Sequence, residues 1–88
     1  MNFKIGNCIQ LSTLAMAQLE KLLVQLAALG YYVPSAAYIF RAKNDWEFIG
    51  VDQWGDVQLY DNAYSYLDIN AWQIEHPTNI INYTTLGI

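Results

Sequence analysis

Residues 14–29 constrain the fold of this chain more than any other stretch: Leu, Ala, Met, Gln, Glu and Lys, with Val24 the one β-branched residue, closed by Gly30. Straight-chain residues and alanine lose little conformational freedom in a helix, whereas β-branched ones lose more. Ala15, Leu19, Leu22, Leu23, Leu26 and Leu29 recur at three- and four-residue spacing and form one wide apolar face; Gln18, Lys21 and Gln25 form a narrow wet stripe. The spacing predicts an amphipathic helix over about 13–29. Ser12 offers a hydroxyl for the N-cap, with Leu11 before it placed to pack on Met16. Gly30 stands where a left-handed C-cap is needed, a conformation that costs glycine nothing. A helix apolar on one side must bury that side, so the rest of the chain has to supply a surface for it.

That surface reads as a sheet. Phe3, Ile5, Ile9 and Leu11 alternate, with Cys8 out of phase after Gly6-Asn7, which predicts an N-terminal strand over 3–11 kinked or bulged at the glycine. After Gly30 the pattern turns to aromatic and β-branched runs separated by turn residues. Three strands are expected: 31–33 leading through Pro34 to 37–41, then 46–52, then 57–60, with joints at Asn44-Asp45 and Trp54-Gly55-Asp56. Pro34 has no N–H for a ladder, so its neighbourhood is expected to be an edge or an irregular entry. Residues 62–72 read as a short helix capped by Asp61, 72–75 and 80–83 as short extended pieces, with His76-Pro77 as a break. Eighty-eight residues do not hold two hydrophobic cores. The expectation is a single α+β domain over 1–88: one N-terminal strand, one helix, then a three-stranded antiparallel meander packed against it.

Composition enters through its excess. The hydrophobic fraction is 55% and the charged fraction 14%, against roughly 45–50% and about 25% in ordinary soluble domains. A domain this small cannot hide that much apolar surface, so part of its seven Tyr, three Trp and three Phe should be exposed at an interface. A homodimer is one expected consequence. The single cysteine, Cys8, cannot make an internal disulfide, which suits a reducing cytoplasm. Residues 1–11 lack the basic and apolar regions of a secretory signal, and 14–29 is too short and too polar to span a membrane, so no membrane association is expected.

Charge is distributed unevenly. Lys4, Lys21, Arg41 and Lys43 all precede residue 44 and, with Glu20 the one acid there, leave the first part at a formal +3; Asp45, Glu47, Asp52, Asp56, Asp61, Asp68 and Glu75 leave the rest at −7. Four scattered cations are too few to bind a nucleic-acid backbone directly. There is no glycine-rich phosphate loop, and one histidine, His76, beside Glu75 does not make a metal ligand set, so no cofactor is expected. Cys8 as a nucleophile would need a lowered pKa that nothing nearby in sequence supplies; the alternative is a small residue on a buried strand. The stronger signal is acidic residues beside Trp and Tyr, a composition of binding hot spots with a charged rim. The candidate protein-binding residues are Asp45, Glu47, Asp52, Trp54, Asp56, Tyr60, Asp61 and Tyr64. The plainer account is that Asp favours turns for backbone reasons and keeps an apolar chain dissolved. A different class of function is a nucleotide-like ligand held between aromatic rings at a dimer interface, with Arg41 and Lys43 facing its phosphate.

The run Lys4-Ile5-Gly6-Asn7-Cys8-Ile9-Gln10-Leu11, a single helix ending in Gly30-Tyr31-Tyr32, and the aromatic stretch 46–61 together resemble small bacteriophage accessory proteins that inhibit host defence, anti-CRISPR proteins among them. The resemblance covers roughly residues 3–61 and is one of size, acidity and element order, with no diagnostic motif. It implies a non-enzymatic protein of the bacterial cytoplasm that occupies a basic surface of a larger host protein or ribonucleoprotein.

Overall fold

Helix α1, Met16–Ala28, lays Leu19, Leu22, Leu23 and Leu26 against one face of a sheet in the computed structural model, which describes residues 1–61 and 79–88. Its C-terminus matches the sequence closely. Gly30 adopts a φ of 95°, its N–H donates to Ala27 O at 3.0 Å, and the N–H of Tyr31 reaches back to Leu26 O at 3.2 Å. Those two bonds satisfy carbonyls that the end of any helix leaves open. The N-terminus lies later than Ser12. Residues Leu11–Thr13 form a 3₁₀ turn in which Leu14 N–H donates to Leu11 O at 3.0 Å and the Thr13 hydroxyl donates to Gln10 O at 2.6 Å. Leu11 and Leu14 are both buried, so the core holds this turn and delays the helix by one step. Ala15 becomes the N-cap, and Gln18 Oε1 accepts its N–H at 2.8 Å. Met16 is then the first helical residue and half exposed, not the fourth residue of the helix that a staple from Leu11 requires.

Four strands make up the sheet among the described residues: β1 (Asn7–Gln10), β2 (Phe48–Val51), β3 (Val57–Tyr60) and β4 (Asn79–Ile80), in the order β3-β2-β1-β4. β1 and β2 run antiparallel with Cys8 opposite Gly50, and β2 and β3 form an antiparallel hairpin with Phe48 opposite Tyr60. β4 runs parallel to β1, and Asn79 Nδ2 donates to the buried Asn7 Oδ1 at 2.7 Å. The α+β class stands, but the three-stranded antiparallel meander does not: the sheet is mixed, and β1 lies inside it.

The missing meander strand is a helix. Residues expected as a strand over 37–41 belong to α2, Ala36–Ala42, with Ile39 N–H donating to Ser35 O at 3.2 Å. Tyr38-Ile39-Phe40 has strand character, but three alanines surround it and Ile39 is its one fully buried side chain. A strand here would have buried alternate residues; burying one side chain on one face suits a helix turn, and packing overrides the local preference. The N-terminal strand is also shorter than 3–11. Asn7 N–H donates to Lys4 O at 3.0 Å in a turn with Gly6 at a φ of 95°, so the kink is a turn and pairing starts after it. The predicted strand over 46–52 contracts to β2, while 57–60 is β3 as read. The extended piece at 80–83 is β4 followed by a 3₁₀ turn, Tyr83–Leu86. The predicted helix over 62–72 and the piece at 72–75 lie outside the described residues.

The strands separate two clusters. Ile9, Ile49, Val51 and Val57 join the α1 leucines and Ile39 in the main core. Cys8, Phe48 and Tyr60 form a second buried cluster, consistent with the period of two that turns Cys8 away from Ile9.

Candidate functional site

Between β2 and β3, residues 52–56 form a turn organised by one carboxylate. Asp52 is 1% exposed. Its Oδ1 accepts the N–H of Trp54 and the N–H of Asp56, each at 2.9 Å, and its Oδ2 accepts Gln58 Nε2 at 3.1 Å. The backbone closes the same loop, with Asp52 N–H donating to Asp56 O at 2.9 Å and Gly55 N–H to Asp52 O at 3.1 Å. A short aspartate side chain is suited to accepting N–H groups from its own turn. Asp52 is therefore not a rim residue, as its charge alone had implied, but the internal fastener of the turn. Trp54 projects from it with 59% of its surface exposed.

The other candidate residues divide. Tyr60 is 5% exposed, because its register opposite Phe48 turns it into the second cluster, so it too leaves the expected surface. Trp54 and the half-buried Asp56 stand at the turn end of the hairpin. Asp45, Glu47 and Asp61 are exposed at the opposite end, where Glu47 N–H donates to Tyr60 O at 2.9 Å. Tyr64 and His76 lie outside the described residues. The acidic residues thus bracket the hairpin at both ends.

Along the outer side of β3, between those ends, lies a cleft of about 230 Å³. Tyr32, Pro34, Tyr38 and Trp46 contribute walls, Leu59 of β3 a flank, and Asp56 a carboxylate. Tyr32 is 66% exposed and Tyr38 45%. Tyr32 is fixed to the turn by two backbone bonds of 2.9 Å, its N–H to Gly55 O and Val57 N–H to its own carbonyl. Tyr31, its neighbour, is held inward by its hydroxyl donating to Phe3 O at 2.9 Å. Sequence reading had not singled out Tyr32 or Tyr38; the available signal was Pro34, which ends any strand begun at Tyr32. No protein-family model, curated protein or solved structure matches this chain.

Among the described residues the cleft lining holds no lysine or arginine: Arg41 is exposed in the last turn of α2, and Lys43 opens the 3₁₀ turn Lys43–Asp45, both off the cleft. Among the same residues no group of three or more His, Cys, Asp or Glu is placed to hold a metal ion, and no helix is long and apolar enough to cross a membrane.

Cys8 is fully buried, and burial pushes its thiol pKa up from 9.0 to about 11. At neutral pH it carries its proton, the less nucleophilic form. Burial, with the charges of Asp52 and Cys8 adding to it, also raises Tyr60 well above the usual tyrosine range. Both groups hold their protons more tightly folded than unfolded. Their stabilising contribution is complete below the unfolded pKa and is lost as pH rises through the folded one. Urea unfolding should therefore show stability falling between pH 9 and 11, by on the order of 2 kcal/mol, and Cys8→Ser should flatten that slope. A flat profile in the parent chain would count against this account of the second cluster.

Proposed function

We propose that this chain is a non-enzymatic binding protein, a stoichiometric inhibitor whose acidic, aromatic hairpin surface docks on a basic, nucleic-acid-handling surface of a larger protein or ribonucleoprotein. Its layout resemblance to phage-encoded inhibitors of host defence suits that role. One observation carries the reading: a turn fastened from inside by Asp52 presents Trp54 and Asp56 beside exposed Tyr32 and Tyr38, with Asp45, Glu47 and Asp61 at the other end. Large aromatic side chains held in place lose little entropy on docking, and surrounding carboxylates steer a positively charged partner. Apolar side chains left exposed on and just after α1, Met16, Val24 and Leu29, leave room for self-association as a further property.

The aromatic cleft supports a second reading, a nucleotide-like ligand stacked between Tyr32 and Tyr38. Its phosphates would meet Asp56 rather than Arg41 or Lys43, which makes it the weaker of the two.

Reversing Asp45, Asp56 and Asp61 to Lys tests the leading reading without touching the buried Asp52. Capture from a bacterial lysate, compared side by side for the parent and this variant over a salt series, should show the parent's partner lost by about a hundredfold or more at low salt. The same capture with unchanged salt sensitivity in the variant would remove the proposal.

A further inference from the structure

We infer that the outer edge of β3 is a slot for an extended, basic segment of the partner, which adds a short strand beside Leu59. This rests on the proposed function and names how the docking is made. Among the described residues the sheet order leaves β3 at an edge. Asp52 N–H donates to Asp56 O across the hairpin, so with the observed register Gln58 and Tyr60 turn their backbone groups toward β2, while Val57 and Leu59 turn theirs outward. Tyr32 uses the first outward position, accepting Val57 N–H in a single parallel bridge. Continuing that parallel ladder would require an N–H at residue 34, and residue 34 is proline. The chain therefore leaves the edge and enters α2. Val57 C=O and both backbone groups of Leu59 remain along the cleft, with no backbone partner among the described residues.

Size and charge select the occupant. At about 230 Å³ the space is below the roughly 300–1,000 Å³ of drug-sized ligand pockets, but it has the dimensions of one or two side chains entering from a strand. A strand added at a sheet edge gains main-chain hydrogen bonds and reads alternate side chains. Here the side chain pointing inward meets the rings of Tyr32, Tyr38 and Trp46 and the carboxylate of Asp56, surroundings that favour a lysine or arginine. Asp45, Glu47 and Asp61 lie at the far end of the same hairpin, so cations are favoured along the whole segment. A second copy of this chain would bring the same carboxylates against themselves, which disfavours edge-to-edge pairing of two β3 strands.

The test uses the full chain labelled with ¹⁵N and three blocked hexapeptides: alternating valine and arginine, alternating valine and glutamate, and the arginine peptide methylated on alternate backbone nitrogens. The arginine peptide is expected to shift the Leu59 amide and Trp46 indole signals and to slow hydrogen exchange at Leu59 by about tenfold or more. Backbone methylation or Tyr38→Ala should each weaken it by about tenfold or more, and the glutamate peptide should not bind. Equal binding of the methylated peptide, shifts confined to Trp54 and Asp61, or no binding of the arginine peptide at millimolar concentration would overturn the slot. So would protection of the Leu59 amide that grows with protein concentration in step with dimer in a sedimentation run, since a second copy would then fill the edge. A chain that takes the peptide at Leu59 but ignores charge reversal against its lysate partner overturns the proposed function and not the slot; the opposite pair of results overturns the slot and not the function.

Discussion

Asp52→Ala is expected to lower unfolding stability by about 3 kcal/mol or more, although the residue is one of the charged positions that composition would assign to the surface. Its carboxylate accepts two backbone N–H groups at 2.9 Å and the Gln58 amide at 3.1 Å while itself 1% exposed. Hydrogen bonds to a charged group contribute roughly 1.5–3 kcal/mol each, and buried donors left without an acceptor add their own desolvation cost. In a domain whose whole stability is of the order of 5 kcal/mol, that loss is most of the total. Asp52→Asn keeps an oxygen facing the two N–H groups and should cost only about 1 kcal/mol. Urea denaturation of both variants measures the difference. If Asp52→Ala costs no more than about 1 kcal/mol, the side-chain oxygens are not what holds the turn. Partner capture should fall with Asp52→Ala as well, because Trp54 and Asp56 lose their fixed positions.

Ile39→Ala should cost about 3 kcal/mol, while Tyr38→Ala, one residue earlier, should stay within about 1 kcal/mol. Ile39 is wholly buried in the main core, and Tyr38 is 45% exposed on the cleft. The contrast follows from α2 presenting one side chain to the core and its neighbour to solvent. Were residues 37–41 the strand that their composition predicts, Tyr38 and Phe40 would share a face, and substitution at Tyr38 would carry the larger penalty whenever that face was the buried one. Thermal or urea unfolding of the two variants decides between the patterns. Ile39 also lines the cleft, so its loss is expected to weaken the arginine peptide through the wall it supports, whereas Tyr38→Ala weakens it by removing a contact.

Legibility varied with the range of the forces involved. Helix α1, its buried leucines and the cap at Gly30 were readable because helix formers, three- and four-residue spacing and a glycine at the end all act within a few residues of each other. The strand 57–60 and the opposite facing of Cys8 and Ile9 were readable from alternation. The N-cap was misplaced because burial of Leu11 and Leu14 favours a 3₁₀ turn where local chemistry offers Ser12. Of the candidate site, Asp45, Glu47, Trp54, Asp56 and Asp61 remain at or near the surface, whereas Asp52 and Tyr60 are interior. Charge and ring count cannot reveal which way a side chain turns when its direction depends on strand register.

By itself, then, the chain determined its α1 helix, the hairpin joint around Gly55, the surplus of apolar side chains and the acidity of everything after Lys43, all properties carried by neighbours in sequence. Only the tertiary structure decided that β1 lies between β2 and β4, that residues 36–42 wind into a helix, that Asp52 closes its turn from within, and that Tyr32, Tyr38 and Trp46 meet at the β3 edge. The bond between Asn7 and Asn79 shows why: such contacts join residues far apart along the chain. Their free energy exists only when the intervening elements have packed.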